Sequence, residues 1–292
     1  MTNRSDSLKA AAWMSGSIAA FTAMAVAGRA LAGRHDVFEI LTWRSAVGFV
    51  LVVLFGATTG QLRSVSTRRL GGHLLRNTLH FTGQNLWFFA LTLIPLAQLF
   101  ALEFTSPLWI ILLAPLLLGE RLTPARALAV ALGLAGVLII TRPGAVPPSW
   151  GLAAAAGSAL FFALTSILTK RLASDVSVIG ILFWLTAMQF VLGLVCAGMD
   201  GHVKLPDAET APWLALIGLC GVVAHLSLTS ALRLAPASFV VPIDFLRLPL
   251  AAVVAALLYG EPLDPFVLIG GAVVLAGIWV NLRAELRRQI RR

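Results

Sequence analysis

Four ionisable side chains, Arg44, Glu103, Asp244 and Arg247, stand in stretches that are otherwise almost wholly apolar. If those stretches cross a bilayer, each such group costs about 2.5–3.5 kcal/mol at mid-span, or roughly 10 kcal/mol together. Groups of this kind persist where they face one another, water or a ligand. They are therefore the first candidates for a binding site.

The spacing of the two acids separates their roles. Asp244 and Arg247 are three residues apart, so they share a helical face and are predicted to pair. Glu103 precedes Asp244 by 141 residues, but Ser106 stands where Arg247 would stand, and serine cannot neutralise a carboxylate. Glu103 therefore needs Arg44, a bound cation, a cationic substrate group or a proton. Because a carboxyl group in low dielectric is readily protonated, Glu103 is the candidate for proton coupling. The alternative is a fixed bridge from Glu103 to Arg44.

A polar stripe lies on a third apolar stretch, at Asn77, His80, Gln84 and Trp87. Spacings of three, four and three put these residues on one helical face, which is predicted to look inward because lipid contact would be costly. His225 follows Gln84 by the same 141 residues. Each histidine could equally be satisfied by a backbone carbonyl. No metal-ligand cluster occurs, so neither a metal nor a cofactor is predicted.

These observations define one set of substrate-binding candidates and exclude catalysis. No nucleophile–base constellation or phosphate loop accompanies them, so an enzyme is not predicted. A channel is disfavoured because the polar groups concentrate at a few depths. The predicted substrate-binding residues are Arg44, His80, Gln84, Trp87, Glu103, His225, Asp244 and Arg247.

Composition determines what must position these residues. Of 292 residues, 59% are hydrophobic and 12% charged, which leaves too little polar cover for a soluble domain. A membrane span needs about 20 apolar residues. The sequence predicts an all-α integral membrane protein with ten transmembrane helices, at 10–29, 38–58, 73–93, 96–118, 124–141, 150–170, 177–197, 211–232, 237–259 and 264–283.

An internal repeat organises the ten spans. The segment 119–124, Gly-Glu-Arg-Leu-Thr-Pro, recurs at 260–265 as Gly-Glu-Pro-Leu-Asp-Pro, and one ungapped offset also pairs Trp43 with Trp184. Five spans per copy is an odd number, so the copies are predicted to be inverted, as in secondary transporters. The predicted organisation is a cytoplasmic N-terminus (1–9), a first repeat (10–141), a linker (142–150), a second repeat (151–283) and a basic cytoplasmic tail (284–292).

Charge distribution predicts the orientation. The net charge is +9, and most of the 22 Lys and Arg residues, Arg76 among them, are assigned to segments on the side of the N-terminus. This is the positive-inside bias, and it puts both termini in the cytoplasm. Topology thus accounts for the basic balance, and nucleic acid is not a predicted partner. The predicted partners are the lipid bilayer and a small-molecule substrate.

Several short motifs carry a resemblance. Pro95-Leu96-Ala97, Ser106-Pro107-Leu108 and Leu118-Gly119-Glu120-Arg121 are echoed in the second copy by Ala235-Pro236-Ala237-Ser238 and Tyr259-Gly260-Glu261. Both copies resemble the EamA-type domain of the drug/metabolite transporter superfamily. The resemblance implies ten helices, a bacterial-type inner membrane and alternating access, with spans 5 and 10 peripheral to the cavity.

The resemblance leaves the cargo open. The mixed acids, arginines, histidines and amides favour export of a small polar or zwitterionic metabolite such as an amino acid. One alternative is uptake of a larger heterocycle such as riboflavin or S-adenosylmethionine, on which Trp87 and Phe88 could stack. Another is export of a hydrophobic drug. Small residues on spans 5 and 10, Ala129, Gly133, Ala272 and Ala276, suit close helix packing or a homodimer contact.

Overall fold

The computed structural model describes residues 4–118, 124–142, 149–173, 175–199, 201–234, 243–244 and 246–290. The regular elements in these ranges are eleven α-helices and one turn of 3-10 helix at Gln61–Ser64. The α-helices are α1 (Arg4–Ala30), α2 (Val37–Thr58), α3 (Leu70–Leu91), α4 (Leu96–Glu103), α5 (Ser106–Leu118), α6 (Pro124–Thr141), α7 (Trp150–Ala173), α8 (Val178–Ala197), α9 (Ala211–Leu234), α10 (Arg247–Tyr259) and α11 (Pro265–Ile290).

The helices match the predicted spans, with three differences, the first being that α1 begins at Arg4, within the predicted N-terminal segment. Span 4 is two helices, α4 and α5, and the last helix runs on to Ile290 through most of the segment predicted as a tail. The part of span 9 at 237–242 lies outside the described residues. Five helical stretches are long and apolar enough to cross a membrane, two in the first half and three in the second. The chain is a multi-pass membrane protein.

The break in span 4 follows from proline chemistry. Pro107 has no N–H to donate to the carbonyl of Glu103, and its ring would collide with that carbonyl in a continuous helix. The chain tightens instead: the N–H of Thr105 bonds to the carbonyl of Leu102 at 3.0 Å, and α5 begins at Ser106. Pro115, in contrast, lies inside the continuous α5. The break leaves Glu103 as the last residue of α4.

Helix pairing shows the internal symmetry of the bundle. The most extensive packing joins α1 to α9, α3 to α7, α2 to α8, and α6 to α11, while α4 packs on α10. Exchanging each helix for its equivalent in the other half reproduces this set of pairs. A pseudo-two-fold axis therefore relates the halves, as inverted repeats require.

The tryptophan pair confirms the opposite directions of the halves. The indole N–H of Trp43, near the start of α2, donates to the carbonyl of Lys204 beyond the end of α8 at 3.1 Å. The indole N–H of Trp184, near the start of α8, donates to the carbonyl of Ser66 beyond the end of α2 at 2.9 Å. Equivalent residues thus fasten opposite ends of an antiparallel helix pair.

Small residues bring α6 and α11 together. A Cβ added at Gly136 would lie 2.6 Å from the carbonyl oxygen of Gly270, and one added at Gly277 would lie 2.8 Å from that of Ala129. The predicted close packing is therefore present at Ala129 and Gly133, which are buried. Ala272 and Ala276, in contrast, are exposed on the outer face of α11.

Candidate functional site

One group of predicted site residues forms an ion-paired cluster on α3, α4 and α10, here called the carboxylate cluster (Trp87, Glu103, Asp244 and Arg247). The Arg247 guanidinium lies 2.7 Å from Asp244 Oδ2 and 3.2 Å from Glu103 Oε1. The indole N–H of Trp87 donates to Glu103 Oε2 at 2.7 Å. Arg247 therefore pairs with both acids.

The arrangement corrects one expectation and supports another. The Glu103–Arg44 bridge is wrong, because Arg247 takes the place of Arg44 as the partner of Glu103. The kink that ends α4 at Glu103 lets this carboxylate reach across to the neighbouring helix. The pairing of Asp244 with Arg247 is confirmed. Within the described residues, one cation faces two carboxylates, and Asp244 Oδ1 is left without a hydrogen bond.

Aromatic rings enclose the Arg247 guanidinium. Its central carbon lies 4.7 Å from the ring centroid of Phe21, 5.1 Å from that of Phe104 and 5.3 Å from that of Phe100. Trp87 stands edge-on to Phe100, with 6.0 Å between centroids. Cation–π contacts are strongest where water is excluded, and Arg247 is 5% exposed. The cluster is thus a ring-walled space filled by one cationic side chain.

A second group, on α2, α3 and α9, is basic and is here called the arginine cluster (Arg44, Arg76, His80 and His225). Arg76 is buried in α3, although its sequence position suggested a cytoplasmic location, and it donates to Thr169 Oγ1 at 3.0 Å and to Asn77 Oδ1 at 2.7 Å. Arg44 is also buried, and its Nε has no hydrogen-bond partner among the described residues. Neither arginine forms an ion pair with a described carboxylate.

The two histidines face each other across the halves. The rings of His80 and His225 lie edge-on with 5.6 Å between centroids. Both ring nitrogens of His80 are buried without a hydrogen-bond partner in the part of the chain described. The expectation that a backbone carbonyl satisfies this histidine is therefore not met at His80, which leaves its donor and acceptor capacity available.

Phe21 connects the two clusters. Its ring contacts Arg247 on one side and stands edge-on to His225, at 5.8 Å, on the other. The polar stripe of α3 runs along the same region: Asn77, His80, Gln84 and Trp87 are all buried, as predicted. All eight predicted site residues thus lie in one continuous region, but the structure divides them between two charge environments.

Sequence reasoning missed two members of this region, Arg76 and Gln189. Gln189 is fully buried on α8, and its amide reaches the carbonyl of Asn77 at 3.4 Å. Arg76 precedes Asn77 and shares the stripe of α3, so helical spacing could have identified it. Gln189 stands 141 residues after Gly48, and a comparison of the repeats for polar residues with glycine counterparts could have found it.

The halves differ where these polar residues lie. On α3, Asn77 and His80 project toward α8 and α9, and their equivalents on α9 are Gly218 and Gly221. A Cβ on Gly221 would lie 2.9 Å from Arg44 Nη2, and one on Gly218 would lie 3.1 Å from the Arg44 carbonyl. The repeat therefore offers amide and imidazole groups in one half and room for an arginine in the other.

A third ionic group joins the halves at the end of the bundle where α1 ends and α4 begins. Glu261 pairs with Arg29 and accepts the Leu96 N–H at 2.9 Å, while Arg29 Nε donates to the Leu91 carbonyl at 3.2 Å. A Gly-Glu motif at a turn can supply a carboxylate to a helix N-terminus. It does so for α4, a helix of the other half. Its counterpart Glu120 lies outside the described residues.

The fold and these clusters can now be set beside known proteins. A family model, described as the EamA-like transporter family, matches residues 8–142 and again 149–283. The chain belongs to this family of the drug/metabolite transporter superfamily. Its double match falls on the two halves that the helix pairing relates. The chain is accordingly a transporter, and its expected membrane fold is confirmed.

Similar proteins include named transporters. A riboflavin transporter of Rhizobium johnstonii is 32% identical over 85% of this chain and 81% of that protein. A riboflavin transporter of Vibrio cholerae is 30% identical over 84% of each chain. An S-adenosylmethionine uptake transporter of Rickettsia bellii is 24% identical over 90% of this chain and 89% of that protein.

A solved crystal structure shares the fold. It superimposes with a TM-score of 0.67 over 97% of this chain and 99% of that chain, at 19% sequence identity. At this identity the likeness concerns the arrangement of helices and not the cargo.

Proposed function

We propose that this member of the family is a secondary transporter that takes up a flat heterocyclic metabolite of the riboflavin type by alternating access across the bacterial inner membrane. The riboflavin transporters above share 30% to 32% of aligned residues with it over most of their length. This proposal replaces amino-acid export, the function first expected from the mixed polar residues, for which the relatives give no support.

The observation that carries the proposal is the aromatic wall. Phe21, Trp87, Phe100 and Phe104 surround the space that the Arg247 side chain fills. Aromatic rings recognise a planar ring system by offset stacking, which adds about 0.5–1.5 kcal/mol per pair beyond buried area. An aliphatic amino acid would bury apolar area against such a wall but would gain no ring stacking.

Charge favours a flavin over S-adenosylmethionine. The arginine cluster has no described carboxylate paired to it, so its field opposes a sulfonium cation and favours carbonyl oxygens. The pyrimidine edge of a flavin carries two carbonyl groups with one N–H between them. We assign Gln84, His80 and His225 to that edge, with Arg44 beyond them.

Glu103 is assigned to proton coupling. Its two oxygens accept from Arg247 and Trp87. A proton on Glu103 would remove its charge and so weaken its pairing with Arg247, which would remain with Asp244, while one oxygen could still accept from Trp87. Protonation of Glu103 would thereby weaken the contact between α4 and α10. Arg247 moves out of the ring-walled space when the cluster is rearranged, which makes room for the substrate ring.

The remaining topological assignments belong to the same proposal. Both termini are cytoplasmic, and the repeats 10–141 and 151–283 rock against each other about the clusters.

The test is uptake of radiolabelled riboflavin by proteoliposomes, with leucine and S-adenosylmethionine measured in parallel. Riboflavin uptake that saturates and that Trp87→Leu abolishes is the expected result. The matched control is Trp279→Leu, since Trp279 is 52% exposed on the outer face of α11. Uptake of leucine or S-adenosylmethionine without riboflavin would replace the proposed cargo.

A further inference from the structure

Arg44 borders a small cavity enclosed by α2, α8 and α9. The cavity measures about 20 Å³, and its polar lining is Arg44, Ser45, Thr186, Gln189 and His225. Such a volume admits one water-sized species and is far too small for a heterocycle. The cavity is therefore distinct in scale from the aromatic space that the proposed cargo would occupy.

The cavity contains unpaired hydrogen-bonding atoms. Arg44 Nε and Gln189 Oε1 are buried without a partner among the described residues, and no described carboxylate pairs with Arg44. Buried polar atoms without partners are rare in native proteins, and each requires an explanation. Here they line one cavity, which indicates that a further species completes their hydrogen bonding.

The positive charge of the buried arginines determines the charge of the species that binds there. Arg44 and Arg76 lie close enough to repel each other, and a buried cation without a counter-charge is strongly disfavoured. A water molecule would satisfy hydrogen bonds but would leave this charge in place. A small anion accepts from the Arg44 guanidinium and also offsets its charge.

Glycine provides the space for this arrangement. Gly48, Gly218 and Gly221 line the cavity, and a Cβ on Gly221 would lie 2.9 Å from Arg44 Nη2. A side chain at position 221 would push the guanidinium from its place. The three glycines keep room for both the arginine head group and one neighbour.

We propose that the cavity bounded by Arg44, Ser45 and Gln189 binds a single small inorganic anion of the halide class, which offsets the charge of Arg44. The guanidinium and the Ser45 hydroxyl would donate to the ion, and the Gln189 amide would turn its N–H₂ toward the ion in place of the 3.4 Å bond to the Asn77 carbonyl. Because α2, α8 and α9 all contribute, the bound ion links the first half of the chain to the second.

The test is thermal unfolding of the full chain, purified in detergent without any transported solute. Sodium gluconate is replaced stepwise by sodium chloride or bromide at constant ionic strength. A bound halide predicts a Tm that rises with the logarithm of the halide concentration above Kd, by about 5 °C at a hundred-fold excess. Because no transported solute is present, this result is independent of the proposed cargo.

Three variants assign the effect to the cavity. Arg44→Met should remove the halide response. If that variant does not fold, Ser45→Ala, which removes only a hydroxyl, serves in its place and should weaken the response. Gly71→Ala is the control, since a Cβ at Gly71 meets nothing within 4 Å, and it keeps the full response. A Tm that is equal in gluconate and chloride overturns the proposal. So does a halide response of the same size in the wild type, Arg44→Met and Ser45→Ala.

Discussion

The carboxylate cluster and the arginine cluster are both buried and both charged, yet only the first is paired. Arg247 contacts Asp244 and Glu103 at 2.7 Å and 3.2 Å, whereas Arg44 has no described carboxylate as a partner. In the first cluster, removal of Arg247 would leave two buried carboxylates without a cation. In the second, Arg44 is already a buried cation without a described counter-charge. Replacement of arginine by methionine should therefore destabilise the carboxylate cluster but not the arginine cluster.

The largest expected effect is that of Arg247→Met. It leaves Glu103 and Asp244 buried without a cation, and removing one member of a buried ion pair costs about 3–5 kcal/mol. Thermal unfolding in detergent measures the cost, and uptake is lost as well. The control is Arg142→Met at a half-exposed pair with Asp264, which should cost about 1 kcal/mol or less. Equal losses in the two variants would mean that the carboxylate cluster is not a paired unit.

The two acids should respond differently to neutralisation. Glu103→Gln keeps an oxygen for the Trp87 N–H but loses the charged partner of Arg247, at a cost of about 2 kcal/mol. If Glu103 carries the coupling proton, this variant loses proton-driven uptake and retains exchange of solute across the membrane. Asp244→Asn should reduce both activities in the same proportion. Flux with and without a pH gradient separates the cases, and parallel loss in Glu103→Gln would restrict Glu103 to a structural role.

A smaller effect is expected where α1, α4 and the Gly-Glu motif meet. Glu261→Gln removes the charge that Arg29 pairs with but retains an acceptor for the Leu96 N–H. Arg29 also keeps the carbonyls of Leu91 and Ile94, so the cost should be about 1–2 kcal/mol. Thermal unfolding measures this cost. A loss of stability as large as that of Arg247→Met would show that the Glu261–Arg29 contact holds the halves together as strongly as the carboxylate cluster does.

The smallest effect is expected for Arg44→Met in halide-free buffer. Replacing an unneutralised buried charge by an apolar side chain is often neutral or stabilising, so the Tm should stay level or rise. In the same buffer, Arg247→Met should lower the Tm, whereas Arg44→Met should not. A fall of the size caused by Arg247→Met would show that Arg44 has a counter-charge after all.

The sequence predicts the helices and their inverted arrangement better than it predicts which charged side chains pair. Helix positions follow from apolar runs, and the inverted organisation follows from the offset that relates Trp43 to Trp184. The pairing of Asp244 with Arg247 follows because helical spacing is local. The partner of Glu103 could not be predicted, since it depends on the kink before Pro107 and on which helix faces α4. Arg76 was misplaced for a related reason: a charge near a span boundary can lie in the loop or in the core.

The measurement that tests the central claim most directly is equilibrium binding of riboflavin to the purified protein, followed by quenching of flavin fluorescence. Stacking on the aromatic wall predicts saturable quenching that Trp87→Leu weakens and Trp279→Leu leaves unchanged. Leucine and S-adenosylmethionine should not displace the flavin. Absence of quenching, or displacement by leucine, would contradict the account and return the chain to the amino-acid transporters that its sequence alone had suggested.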